Sequence, residues 1–252
     1  MIKEGKYIYC IVGTEQERSF GAIGINDSEV ITVGYNDLCM LISNHPLTKF
    51  VINPENILAH ERVIEGMMKE FDSVLPIRFG TIASDADEIR NLLDRRYREF
   101  KILLRNMDHK VELSVKVIWQ DMDIIFKEIL KENKDIRQEK KKIQKNNENI
   151  NITLEVGQMV EHALTKKKEE EQERIIDLLR RTAFDYKLNK PIGDEMVMNA
   201  AFLVDKGREK EFDNIMDDLS DKYRDRMRFV YTGPLPVFNF VNITIYPEEW
   251  EK

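Results

Sequence analysis

The chain has 252 residues, 42% hydrophobic and 34% charged, with a formal net charge of -7. That profile is one of charged helices in one large or two ordinary domains, and it argues against nonspecific nucleic-acid binding, which needs a clustered basic surface. No apolar run is long enough to span a bilayer, and Met1 to Gly5 holds no hydrophobic signal core, so export is not expected.

Lys6 to Val12 (Lys-Tyr-Ile-Tyr-Cys-Ile-Val) is apolar on both faces, as an inner strand is. Phe20 to Ile25, Val30 to Val33 and Leu38 to Ser43 are short extended runs parted by Gly21, Asn26-Asp27 and Gly34, the spacing of a small antiparallel meander. Cys10 and Cys39 sit within such runs and read as buried thiols, with neither a disulfide nor zinc-ligand spacing. Asn53-Pro54 opens a helix with Asn53 as N-cap, and Ile57, Ile64, Met67, Met68 and Phe71 give it one apolar stripe.

Val74-Leu75-Pro76-Ile77-Arg78-Phe79-Gly80-Thr81 follows, and Pro76 assigns it to a sheet edge or a strand start. Ser84 and Asp87 suggest a capping box for one long helix striped with Ile89, Leu92, Leu93, Tyr97, Phe100, Leu103, Leu104 and Met107. Val111, Leu113, Val115, Val117 and Trp119 then alternate with Glu112, Ser114 and Lys116, which predicts a strand with one buried face. Interleaved strands and helices make residues 1–120 an α+β domain.

From Asp121 the composition shifts to Lys and Glu. Asp121 to Lys145 and Leu154 to Phe184 read as two helices broken at Asn146-Asn147-Glu148-Asn149, a helical hairpin over about 121–186. Its charge runs are most simply solvated faces. In the remainder of this second domain, 121–252, an α/β part spans about 195–232. Met196 to Val204 is a buried strand, Asp205 is placed to cap a helix carrying Phe212, Ile215, Met216 and Leu219, and Met227 to Tyr231 is a further strand. The end, 233–252, begins Gly233-Pro234-Leu235-Pro236-Val237-Phe238-Asn239-Phe240-Val241. Its prolines make it stiff and extended, unfit for a central strand, and its apolar side chains need cover from this chain or a partner. Trp250 is either a dock onto the body or part of a loose tail.

Chemistry is hard to find. His45, His60, His109 and His162 lie in no His-Glu-x-x-His pattern, and no phosphate loop or nucleophile elbow is present. His60 lies beside the apolar stripe of its helix, and Arg78 in an apolar run reads as an ion-paired arginine, with Glu61 as a candidate partner. Catalytic, cofactor and metal residues are therefore all assigned as none.

Three stretches together resemble the gas-vesicle accessory proteins of the F/L type: Tyr7 to Val12, the Val74 to Thr81 segment after the helix with His60, and Thr232 to Val241. Val111 to Trp119 and Asn199 to Val204 are also similar. The family usually has Trp, Pro and Tyr where this chain has Leu235, Val237 and Phe238. The resemblance implies two domains, the first ferredoxin-like and the second a modified ferredoxin-like fold with added helices. It marks His60, Arg78, Phe79, Gly80 and Thr81, with Gly233, Pro234, Leu235, Pro236, Phe238, Phe240 and Val241, as structural or interaction residues. It implies a non-enzymatic assembly protein, cytoplasmic and gas-vesicle-associated, without cofactor. Its expected partners are the hydrophobic shell subunit and other gas-vesicle accessory proteins, not nucleic acid or membrane. The alternative reading is a ligand-binding or regulatory α+β module with a pocket near His60 and Arg78.

Overall fold

The computed structural model describes residues 4–47, 52–145 and 150–245, with side chains except at 142–145 and 150–153. The polar break at Asn146 to Asn149, and Trp250, lie outside the described residues. The chain packs as two compact units, Met1–Leu113 with Leu203–Gly207 and Gly233–Lys252, and Ser114–Phe202 with Arg208–Thr232. Sequence alone suggests one cut near residue 120; by packing, Leu203–Gly207 and Gly233–Lys252 count with the first unit.

The first unit holds β1 (Glu4–Val12), β2 (Ser19–Gly21), β3 (Val30–Tyr35), β4 (Leu38–Pro46), α1 (Pro54–Met67), β5 (Val74–Pro76), β6 (Ile82–Ala83), α2 (Ala86–Arg95) and α3 (Tyr97–Met107). Its sheet runs β2-β3-β4-β1-β5, with β6 also on β1. The doubly apolar β1 is thus an inner strand, antiparallel to β4, β5 and β6. Its register against β4 slips between Ile8 and Cys10. A bulge there puts one extra residue in the strand, so the side-chain alternation shifts by one. Hence Tyr7, Tyr9, Cys10 and Val12 enter one core cluster with Val63, Ile64 and Met67 of α1. Ile8 and Ile11 enter the other, with Ile89, Leu92, Leu93, Phe100 and Leu104 of α2 and α3. The predicted single helix is two, because Arg96 leaves helical geometry at φ -105°, ψ 18°. The cap of α2 is Asp85, whose carboxylate accepts from the Asp87 and Glu88 amides, while Glu88 reaches back to Ser84. The expected Ser84/Asp87 box is therefore displaced by one residue.

β7 (Lys110–Trp119) leads into α4 (Met122–Glu132), α5 (Lys134–Lys145), α6 (Ile150–Leu179), β8 (Ala183–Leu188), β9 (Met196–Asp205), α7 (Glu209–Lys222) and β10 (Met227–Leu235). These strands form a second sheet in the order β10-β7-β9-β8. The chain is thus α+β with two sheets. Among the described residues the expected hairpin has three helices rather than two, since the first arm divides at Asn133, where the backbone is extended. Its second arm stops at Leu179, and Ala183–Leu188 is a strand, not the helix end. Asp205 accepts from the Gly207 amide within a 3₁₀ turn, and α7 starts after it with no side-chain cap, so the expected Asp205 cap is not formed. Among the described residues, no helix is long and apolar enough to cross a membrane.

Candidate functional site

His60 is delivered by α1, whose start is fixed by Asn53: its side chain accepts from the Asn56 amide at 2.7 Å, with Pro54 at the first helical position. The ring is only 1% exposed. Its Nε2 lies 3.0 Å from the Ile77 carbonyl oxygen and its Nδ1 2.9 Å from the Tyr7 hydroxyl. A carbonyl can only accept, so Nε2 carries the proton and Nδ1 accepts from Tyr7. The Tyr7 oxygen in turn accepts from the Gly80 amide at 3.1 Å. Gly80 sits at φ +86°, where a side chain would be strained. Burial lowers the His60 pKa to about 4, against the Ile77 carbonyl, which favours the charged ring. Burial likewise pushes the Tyr7 phenol up. The imidazole is therefore neutral, stacked on Tyr9 at 5.6 Å and edge-on to Phe79 at 5.6 Å.

The C-terminal stretch reaches the same place. β10 runs on through Gly233, Pro234 and Leu235, longer than the predicted strand, and as an end strand of the sheet it tolerates proline. The Gly233-Pro234 peptide is cis. A Cβ on Gly233 would lie 2.5 Å from the Leu113 Cδ2 and 3.2 Å from the Glu112 carbonyl oxygen, so only glycine fits without a shift. After the buried Pro236 the chain turns, with the Phe240 and Val241 amides both donating to the Val237 carbonyl at 3.0 Å. Val237, Val241 and Ile243 are buried with Ile8, Ile11 and Phe100, and Phe240 packs against them. The segment's cover thus comes from this chain for Val237 and Val241. Phe238 is 38% exposed, its ring 6.4 Å from His60.

Sequence reasoning missed the anchor of this segment. Glu112, expected on a solvent face, is 3% exposed. It accepts from the Asn239 amide at 2.8 Å and from Asn239 Nδ2 at 2.6 Å. A charged residue amid alternating apolar ones is the only signal the sequence gives, and an ordinary solvent face gives the same one.

Ile57, His60, Glu61, Arg78, Phe79 and Phe238 line a cleft of about 300 Å³ with Val241 and Ile243. Arg78 is exposed, follows β5 rather than lying inside it, and among the described residues forms no ion pair. The expected pairing with Glu61 is thus corrected: burial and the neighbouring Glu65, with no compensating cation, raise the Glu61 pKa. Arg78 contributes its carbonyl oxygen to the Thr81 hydroxyl at 2.7 Å, and Thr81 accepts from the Ile8 amide at 2.9 Å. The cleft can bind an apolar group under a rim carrying one guanidinium and one carboxylate. Its lining holds no thiol, hydroxyl or amine side chain, and its imidazole is closed off by two hydrogen bonds. Elsewhere in this unit Asp72, Asp108 and His109 bring ligand atoms within 4.8 Å of one another, all exposed, as surface acids commonly are.

The second unit's charges are not all solvated. Arg226 grips Glu128 through two bonds of 2.7 and 2.8 Å and also pairs with Glu171, which accepts from the Trp119 indole at 2.6 Å. Lys167 closes the network on Glu128 and Glu132. Lys166–Glu170 and Glu170–Arg174 are the exposed i,i+4 pairs that the charge run predicts.

Fold and site define a two-sheet α+β protein whose C-terminal strip is folded back beside an apolar cleft. The same fold occurs in the crystal structure of gas vesicle protein GvpF from Anabaena sp. PCC7120, with a TM-score of 0.85 and 23% identity over 96% of this chain and all of that one. It occurs also in GvpF from Microcystis aeruginosa, with a TM-score of 0.82 and 24% identity over 95% and 99%. In sequence the chain is 25% identical to gas vesicle protein F of Dolichospermum flosaquae, over 94% of this chain and 97% of that one. It is also 25% identical to gas vesicle protein F1 of Halobacterium salinarum, over 98% and 97%. The model of the gas vesicle synthesis protein GvpL/GvpF family matches residues 5–242, and the chain belongs to that family.

Proposed function

We propose that this chain is a non-enzymatic assembly protein of the gas vesicle, a minor vesicle-associated component in the cytoplasm. It binds the hydrophobic shell subunit, alongside other accessory proteins, and helps to nucleate or assemble the vesicle. The family match across residues 5–242 carries this reading. Physical chemistry supports it: a subunit that polymerises through apolar surface needs a partner presenting apolar surface that is itself kept from aggregating. The cleft beside Phe238 supplies such a surface, and the net charge of -7 keeps the rest soluble. His60 neutral and sealed, with Cys10 and Cys39 both buried, supports a role without catalysis.

Co-expression of the tagged chain with a gas-vesicle shell subunit tests it. Recovery of untagged subunit above a tag-only control is expected, with loss on Phe238→Asp. Recovery equal to the control would overturn the reading. The cleft between His60, Glu61 and Arg78 favours one second reading, a ligand-binding or regulatory module. Thermal stabilisation by a small metabolite, abolished by Arg78→Ala, would favour it over assembly.

A further inference from the structure

β8 ends the second sheet, with β9 on one side and no described strand on the other. It reads Ala183-Phe184-Asp185-Tyr186-Lys187-Leu188. Phe184 is 65% exposed and Leu188 48%, far more than an apolar strand residue ordinarily is. An open edge of this kind is a template for another strand, and proteins usually blunt it with proline, charged side chains, a bulge or a covering segment. β8 has no proline, and its two charges are opposite in sign, one on each side of Tyr186.

The Asn189 amide donates to the Asn199 carbonyl of β9 at 2.7 Å. Alternation along the strand then turns the amides of Asp185 and Lys187 inward and those of Phe184, Tyr186 and Leu188 outward. The Tyr186 amide fits this, since its neighbour Asp185 accepts from it at 2.8 Å. The Tyr186 ring stacks on Phe202 of β9 at 6.0 Å, so the centre of the edge is held in place.

We propose that β8 pairs antiparallel with β8 of a second copy of this chain, about a two-fold axis at Tyr186. In that register Phe184 of one copy faces Leu188 of the other, Asp185 faces Lys187, and Tyr186 faces itself. The interface is self-complementary, as a two-fold contact must be. The outward amides of 184, 186 and 188 fall at hydrogen-bonded pairs. The Asp185–Lys187 couples fall at non-hydrogen-bonded pairs, where opposing side chains come closest. Asp185 exchanges the Tyr186 amide for the facing ammonium, and the amide gains a carbonyl. Charge selects this register: sliding by two residues sets Asp185 against Asp185 or Lys187 against Lys187. This self-association is independent of what the cleft beside Phe238 binds.

Sedimentation velocity on the full chain, from about 1 µM to about 300 µM, covers the affinities expected of a small interface. The native chain dimerises. Asp185→Lys and Lys187→Asp each weaken the dimer by roughly tenfold or more, as attractive cross-strand pairs become repulsive. The double variant Asp185→Lys with Lys187→Asp restores it, which a merely misfolded single variant could not explain. A chain that stays monomeric throughout, its edge left for another protein or for none, overturns the proposal. So do single reversals that leave dimerisation unchanged.

Discussion

Glu112 and Asn239, 127 positions apart, are joined by two hydrogen bonds that run from both nitrogens of one residue to both oxygens of the other. The carboxylate sits at the start of β7, and the bonds hold the turn that follows Pro236 while Val237 and Val241 enter the core. Removing it strands two donors beside apolar side chains. Glu112→Ala is expected to lower stability by roughly 2–4 kcal/mol, on the scale of two bonds to a charged acceptor. Glu112→Gln, which keeps one acceptor, should lose about half as much. Urea denaturation measures both, and a Gln variant as stable as the native chain would show that the clamp carries no stability.

The covered and open parts of the same turn should respond differently. Val241→Ala deletes the equivalent of two methylene groups from the core, which costs about 2 kcal/mol with the cavity included. Phe238→Ala removes a ring that is partly in solvent, and should cost under about 1 kcal/mol. Equal losses for the two would mean that Phe238 is as structural as Val241.

How legible this was depends on whether the signal lay in one stretch or required two. The doubly apolar run at Tyr7 to Val12 gives β1 as an inner strand, because burial on both faces leaves its mark in the run itself. Alternation in β7 shows which face is apolar, but not that a segment from residue 239 covers the other face at Glu112. The break at Arg96 has no glycine or proline to announce it, and the apolar stripe continues across it. In β8, the pattern Phe184-Asp185-Tyr186-Lys187-Leu188 was present as period two. It followed a long charged helix without a strong breaker, and a helical stripe could absorb it. An arginine in an apolar run is usually paired, yet the chain leaves β5 before Arg78 and frees its guanidinium into solvent. The cleft depends on α1, the loop after β5 and the C-terminal turn together, and no single stretch encodes that meeting.

The network at Arg226 predicts a graded loss. Arg226→Ala leaves Glu128 and Glu171 facing each other without their shared cation. The expected cost is roughly 2 kcal/mol, below the 3–5 kcal/mol of a fully buried pair because both Arg226 and Glu128 keep some solvent access. Arg226→Lys keeps the charge but loses the fork that grips Glu128, so it should fall between. Stability unchanged in Arg226→Ala would reduce the network to a surface decoration.

His60 predicts how stability varies with pH. Its folded pKa, about 4, lies below the ordinary value of 6.5, so the unfolded chain binds a proton over a range where the folded chain does not. Stability from this group is complete above about pH 6.5 and is lost as pH falls toward 4. Over pH 7 to 5 the loss is about 2 kcal/mol, since each unit of pH between the two values is worth about 1.4 kcal/mol. Glu128 has its carboxyl lowered to about 2, chiefly by the Arg226 guanidinium, and its contribution disappears only below about pH 4.5. Glu61 acts the other way: its raised pKa means that protonation on acidification favours the fold and slightly offsets the His60 loss. The urea midpoint of the native chain should therefore drop between pH 7 and pH 5. His60→Gln, less stable at pH 7 because its hydrogen bonds to Tyr7 and Ile77 are remade imperfectly, should show a much flatter profile over the same range. If the variant and the native chain lose stability in parallel, the titrating group is not His60, and the sealed neutral imidazole beside the cleft is not what the acid side of the profile reports.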